Sequence, residues 1–290
     1  MWLLLSNPTS GGGKGRKYLH IIKDYLDANN LPYRDITSAS YELASEALKK
    51  SLKQQSSHIS GVFVIGGDGM VHLAVQELAN RSIPLALIPA GTGNDFARSL
   101  NLPLDAPLQL LKTYLATSPI YLDLGQVNNE IFAEILSTGF DSVVNERANE
   151  MRVIRGRTKY NIAILLVLST FKPKSYEFRV DSVSFTTKAM LIAVSNGISY
   201  GGGMKVTPNA ELDDGLFDIM VLGPVSKFEF LKVFPKVFSG GHVFHPAVKI
   251  LRGKEVSITS DAVAYADGER IGELPIKARV LPKALLTWRL

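Results

Sequence analysis

Before residue 120 the apolar positions keep two alternating rhythms. Short unbroken apolar runs at 2–6, 61–65 and 83–88 read as strands buried on both faces, with a further strand-like run at 33–37. Between them the apolar residues recur at helical spacing: Tyr18, Leu19, Ile22, Tyr25 and Leu26, then Leu43, Ala47, Leu48 and Leu52, then Val71, Ala74, Val75 and Leu78. Strand and helix alternate with short connections. The pattern predicts a parallel α/β sheet covered by helices on both faces.

The rhythm changes near Pro119. Short β-like runs follow at 120–127, 131–137, 176–181, 189–195, 217–222, 248–252, 255–260, 263–266 and 276–281, interrupted by helical patterns at 158–170 and 226–238. The expected fold is therefore an N-terminal parallel α/β domain over 1–122 and a mostly antiparallel, sandwich-like β domain over 123–290. The last about ten residues are expected to return to the first domain. A length of 290 residues agrees with two domains.

Composition narrows the chemistry. With 46% hydrophobic and 20% charged residues the chain is no disordered protein. It has no cysteine, which excludes disulfides, zinc–cysteine sites and thiol nucleophiles. The longest uncharged run, 189–204, contains four glycines and is too short to span a bilayer. Met1-Trp-Leu-Leu-Leu5 lacks a basic flank and reads as a strand, not a leader. A cytoplasmic protein is expected. The net charge of +5 is local: residues 147–188 hold nine basic residues against three acidic ones. Such a stretch suits either an ordinary solvated face or an anionic membrane surface. No nucleic-acid-binding motif accompanies it.

In an open parallel sheet, ligands bind beyond the carboxyl ends of the strands. Four polar loops occupy those positions. They are Asn7-Pro-Thr-Ser-Gly-Gly-Gly-Lys14, Thr37-Ser38, Gly66-Gly-Asp-Gly69 and Pro89-Ala-Gly-Thr-Gly-Asn-Asp95. Glycine lets backbone N–H groups approach an anion closely, and a following helix N-terminus adds positive potential. Neither a Walker loop nor a dinucleotide fingerprint is present. Four such loops together still favour a phosphate-bearing ligand. Asp68 and Asp95 are either caps of the following helices or ligands of magnesium. Asp267-Gly268 reads as a hairpin turn.

These residues also carry a resemblance. Gly66-Gly-Asp-Gly69, Gly91-Thr-Gly-Asn-Asp-Phe-Ala-Arg98, Asn196-Gly197, Tyr200-Gly-Gly-Gly-Met204, Asp213-Asp-Gly-Leu-Phe-Asp218 and Ala266-Asp-Gly-Glu269 resemble, in order, the blocks of the diacylglycerol kinase catalytic family, which includes bacterial lipid kinases and is related to sphingosine kinases. The resemblance implies transfer of the γ-phosphoryl group of ATP to a lipid hydroxyl, with Mg2+, at a membrane reached peripherally through the basic 147–188 stretch. It assigns ATP contacts to Asn7, Pro8, Thr9, Ser10, Gly11, Thr37, Gly66, Gly67, Asp68, Gly69 and Thr92. Asp68 and Asp95 would organise magnesium and the phosphates. Glu269 would be the general base with Asp267 beside it, and Asp123 would support that acidic cluster. A structural metal would be held by Glu211, Asp214 and Leu216. The chain departs from the family pattern at Met70, His72 and Leu73, where Thr, Asn and Glu are usual; this bears on catalytic competence. A catalytically weak or silent regulator and a kinase of a soluble substrate are the alternatives. The lipid's identity and a homodimer are left open.

Overall fold

A computed structural model describes residues 1–290 apart from 39, 56–57 and 152–156. The first half runs β1 (Trp2–Ser6), α1 (Ser10–Ala28), β2 (Tyr33–Asp35), α2 (Tyr41–Gln55), β3 (Gly61–Gly66), α3 (Asp68–Leu78), β4 (Leu85–Pro89), α4 (Asp95–Ser99) and α5 (Pro107–Ala116). Strands β2, β1, β3 and β4 lie side by side and parallel. Every residue of β1, β3 and β4 is buried, as unbroken apolar runs require when helices cover both faces. Leu19, Ile22 and Leu26 of α1 and Val71, Ala74 and Leu78 of α3 pack into the same core.

The second half runs β5 (Ile120–Val127), β6 (Glu130–Phe132), β7 (Ile135–Gly139), α6 (Phe140–Glu150), α7 (Arg157–Thr170), β8 (Lys174–Val180), β9 (Val183–Ala189), β10 (Leu191–Ser195), β11 (Phe217–Leu222), α8 (Lys227–Val233), β12 (Val248–Gly253), β13 (Glu255–Thr259), β14 (Val263–Ala266), β15 (Glu269–Glu273) and β16 (Ile276–Thr287). One sheet has the order β12-β11-β10-β7-β14-β15 and is antiparallel throughout. The antiparallel strands β16, β13, β8 and β9 extend the other sheet from β4. An apolar layer that includes Phe132, Tyr176, Phe178, Ile192, Phe217 and Ile258 fills the space between these strands and the antiparallel sheet. This is the α/β plus antiparallel β architecture that the patterning predicts.

The join between the halves is β16. It pairs along β5 and reaches β4 in parallel at Thr287 and Leu85. The Thr287 hydroxyl donates to the Leu85 carbonyl at 2.7 Å. Trp288 is buried against Tyr114, with ring centroids 4.8 Å apart, and its indole N–H reaches the Thr117 carbonyl. The C-terminal residues thus complete the core of the first half. Helices α4, α5 and α6 and strands β9 and β15 are elements that the apolar patterning does not announce.

Trp288→Ala should therefore destabilise the whole protein, by about 3 kcal/mol, because it opens a cavity under β4. Urea unfolding followed by tryptophan-independent circular dichroism checks this; a loss under about 1 kcal/mol would mean that the C-terminal segment is not part of the core.

Candidate active site

Three of the four strand-end loops meet in backbone contact. Gly11 to Gly13 all have positive φ, so the chain makes a left-handed run before α1 becomes regular. A side chain at Gly11 would collide with the Ala90 carbonyl oxygen, which ties the first loop to the fourth. Gly67 and Gly91 touch in the same way: a Cβ on Gly91 would lie 2.5 Å from the Gly67 Cα. The Ala90 amide donates to the Gly66 carbonyl at 2.8 Å. Asn7 holds its own loop by accepting from the Thr9 amide and hydroxyl, at 3.1 and 2.8 Å. Thr37, after β2, keeps a buried hydroxyl with no hydrogen-bond partner, and Thr92 is exposed at the tip of its loop.

Three acidic side chains follow one another across this junction. Asp68, in the first turn of α3, accepts the amides of Asp95 and Phe96 on Oδ1, at 2.7 and 3.3 Å. Desolvation and the nearby Asp95 charge push its carboxyl up to about 6. Asp95 accepts the amides of Gly202 and Gly203, at 2.8 and 2.7 Å, and the Ser199 hydroxyl at 3.3 Å. Asp267 accepts three consecutive amides, those of Ala133, Glu134 and Ile135. With Gly268 it forms the two-residue turn between β14 and β15, both residues at positive φ, so the hairpin reading holds at this position. His72 on α3 lies 3.7 Å from Asp267, an ion-pair distance. Burial lowers the His72 pKa, but the Asp267 carboxylate and the charges of Glu269 and Glu130 outweigh it and the net shift is upward.

Two further carboxyls stand here without a motif to announce them. Glu134 is buried; one oxygen accepts the Ser99 hydroxyl at 2.8 Å and the other has no partner. Burial pushes its carboxyl well above the ordinary carboxylate range. A side chain at Gly197 would strike it. Asp141, in the first turn of α6, accepts from Ser137 at 2.6 Å and Asn145 at 3.3 Å, and also bonds Tyr200. The only local hint of Glu134 is a charge inside the apolar run 131–136. Asp141 has none.

A single cavity of about 1080 Å³ joins these groups. At one end it is lined by Gly11, Asp68, residues 91–96, Arg98, Asp267 and Gly268. Glu134, Ser137, Asp141, Asn145 and Tyr200 line its middle. The other end is walled by apolar side chains of the second half, among them Phe140, Met220, Phe230 and Val237.

Comparison with known proteins gives this arrangement a lineage. The profile of the Diacylglycerol kinase catalytic domain matches residues 1–127, and that of the YegS C-terminal NAD kinase beta sandwich-like domain matches residues 134–288. A diacylglycerol kinase of Mycobacterium tuberculosis strain H37Rv is 35% identical over 292 residues, covering 98% of this chain and 94% of that one. The chain belongs to the diacylglycerol kinase family. A diacylglycerol kinase of Bacillus subtilis strain 168 is 27% identical over 279 residues, covering 94% of this chain and 90% of that one. A crystal structure from Bacillus anthracis strain Sterne shares the fold with a TM-score of 0.81, at 22% identity, covering 100% of this chain and 97% of that one.

Several residues carried over from the diacylglycerol kinase pattern lie apart from the acidic junction. Asp123 spends both oxygens on backbone amides, those of Gly215 and Lys283, at 2.7 Å each, and does not line the cavity. Glu269 is exposed at the start of β15, one residue past the cavity-lining Gly268. The residues expected to hold a structural metal do not fit an open cation site. Asp214 is paired with the Arg252 guanidinium and accepts the Leu216 amide at 2.9 Å, while Glu211 is exposed. Arg252 also pairs with Asp218 at 3.4 Å. The Arg252 guanidinium thus supplies the positive charge beside these acids. Asp68 Oδ2 receives no donor among the described residues, and burial is the main cause of its raised pKa. No group of three or more acidic or histidine side chains is placed to hold a metal ion among the described residues.

The Asp68 shift has a sign that can be measured. Its folded-state value of about 6 lies above the ordinary 3.8, so the native state holds the extra proton between those two values. The Asp68 contribution to the stability of the ligand-free protein should fall as pH rises through that window, by up to about 3 kcal/mol, and level off above it. Asp68→Asn should remove this part of the slope, leaving that of Glu134, which is shifted in the same direction. Thermal melts from pH 4 to pH 7 check it; an unchanged slope in the variant would acquit Asp68.

Proposed function

We propose that this kinase transfers the γ-phosphoryl group of ATP to the hydroxyl of a lipid such as diacylglycerol, at a membrane surface. The observation that carries the reading is the two-ended cavity. Glycine loops and carboxylates form one end and an apolar wall the other, within a single volume of about 1080 Å³. A soluble sugar phosphate would leave the apolar end without a use.

The triphosphate lies along the loops at Asn7–Gly11, Gly66–Gly69 and Thr92, where the starts of α1 and α3 add positive potential. Thr37 contributes the hydroxyl that has no protein partner. Asp68 would hold Mg2+ through its free oxygen, and the bound ion would neutralise phosphate charge. Asp95 does not reach for the ion; it fixes the Gly202–Gly203 turn over the junction. The acyl chains lie in the apolar end, which leaves the lipid hydroxyl toward Asp267 and Gly268, beside Glu269. That hydroxyl oxygen bonds to the γ-phosphorus as the bond from this phosphorus to the bridging β–γ oxygen breaks. ADP leaves with the electron pair, and the hydroxyl proton passes to Glu269. Asp267 holds the turn that carries Glu269 and acts as a positioning residue. Catalytic hydrogen bonds tighten on substrate binding, so an exposed carboxylate beside the cavity is compatible with this role.

Mass spectrometry of a lipid extract incubated with the protein, ATP and Mg2+ tests the reaction: one lipid class should gain a phosphate. Glu269→Gln should reduce turnover at least about a hundredfold while ATP affinity, read by calorimetry, stays unchanged. Retained turnover would remove Glu269 as the base, and absence of any phosphorylated lipid would overturn the reading.

A further inference from the structure

The segment from α8 through the two short 3-10 turns, Phe234–Phe238 and Gly241–Phe244, has two unlike faces. Its inner face, Phe230, Val233, Phe234 and Val237, lines the apolar end of the cavity. Its outer face exposes Phe228, Leu231 and Phe244, with Phe228 80% and Phe244 88% accessible, while the half-exposed Phe238 also reaches the cavity. Exposed aromatic side chains in such a group are costly in water and mark a contact surface. They are held together. Glu229 and His245 approach at 3.1 Å, which ties the segment that carries Phe228 to the one that carries Phe244. Lysines interleave with them: residues 227–244 carry Lys227, Lys232 and Lys236 against Glu229 alone, and that acid is already paired. Lys232 and Lys236 are exposed and have no salt-bridge partner among the described residues.

We infer that this outer face docks the protein on an anionic bilayer, with the aromatic rings entering the headgroup layer and the lysines meeting lipid phosphates. The inference rests on the lipid-kinase reading for its purpose, since the same segment roofs the cavity and a lipid would enter where the protein touches the membrane. Charge decides in favour of a bilayer over a second copy of the chain: two such faces would set like-charged lysines against each other, whereas anionic headgroups complement them. Rings at headgroup depth flanked by lysines are the chemistry of interfacial binding. Three of the nine basic residues of the stretch 147–188 are already engaged. Arg152 and Arg155 lie outside the described residues, as do the side chains of Arg157 and Lys159, and Arg147, Lys174 and Arg179 are engaged by Glu150, the Asp261 carbonyl and Ser257.

The test is flotation of the full chain with phosphatidylcholine–phosphatidylglycerol vesicles and with phosphatidylcholine vesicles, without ATP. The wild type should bind the mixed vesicles more tightly and lose binding as salt rises. Phe228→Ser with Phe244→Ser should weaken binding at least about tenfold. Lys232→Gln with Lys236→Gln should weaken it about fivefold per lysine at low salt and leave binding to the neutral vesicles unchanged. Unaltered melting temperature establishes that the variants fold. Neither phenylalanine lines the cavity, so the double variant should still phosphorylate a short-chain lipid dissolved as monomer. Wild-type strength binding by both variants would overturn the inference, as would light scattering that shows the phenylalanine variant converting a dimer to a monomer with vesicle binding intact. Failure of the wild type to phosphorylate any lipid, with flotation as expected, would sink the kinase reading and leave the docking surface standing.

Discussion

The grip of the Asp95 carboxylate on the Gly202 and Gly203 amides is the contact on which the site depends. Asp95 belongs to the parallel sheet and the two glycines to the antiparallel half. A carboxylate taken out of water must be met by donors, and charge-assisted bonds to backbone amides are among the stronger ones available. Asp68 accepts the amide of Asp95 itself, so the third and fourth strand-end loops and the glycine turn form one hydrogen-bonded chain. The turn residues Gly201–Gly203 all have positive φ, which keeps bulky side chains out of the passage between the two ends of the cavity. Glu134 reinforces the same junction through Ser99 and the Ser199 amide.

How much of the chain is legible depends on how local each signal is. The strand-end loops can be read because glycine and small hydroxyl residues after an apolar run have few other uses. The second sheet can be read as β because β-branched and aromatic residues alternate there, though β9, largely exposed, and β15, opened by a turn pair, give no apolar run. The buried acids cannot be read. Whether a carboxylate becomes a catalytic group, a fastener or an ion-pair partner depends on residues far away. Asp214 meets Arg252 across 38 positions and Asp267 meets Ala133 across 134. The same residue type at the same spacing could serve any of these roles.

The departures from the family pattern after Gly69 make sense in these terms. Leu73 is buried in the first core, and Met70 lies against Gly66, beneath the loop it follows. Both positions face packing, which suits an apolar residue. His72 is the informative change. It adds a titratable cation beside a cluster that otherwise collects negative charge from Asp68, Asp95 and Asp267. Charge balance in a half-buried site is a collective property, and His72 and Leu73 both shift this cluster toward positive charge relative to the family pattern.

Asp123 shows why an acid can matter to a site without acting in it. Its Oδ1 accepts the Lys283 amide, and Lys283 has positive φ at the irregularity where β16 shifts register against β5. Its Oδ2 accepts the Gly215 amide, its own amide donates to Leu212, and its carbonyl accepts from Asn196. One residue therefore pins the bulge at which β16 passes from the antiparallel strands to β4, together with the loop that precedes β11. A bulge bends a strand and re-aims the residues beyond it. Beyond this one lies the segment that closes the first core, Ala284 to Trp288. Losing the carboxylate would let that crossing relax, and the two halves would shift relative to each other before any catalytic group was touched. Activity alone cannot tell such a fastener from a proton acceptor, because reacting groups on opposite walls of a cleft tolerate little displacement.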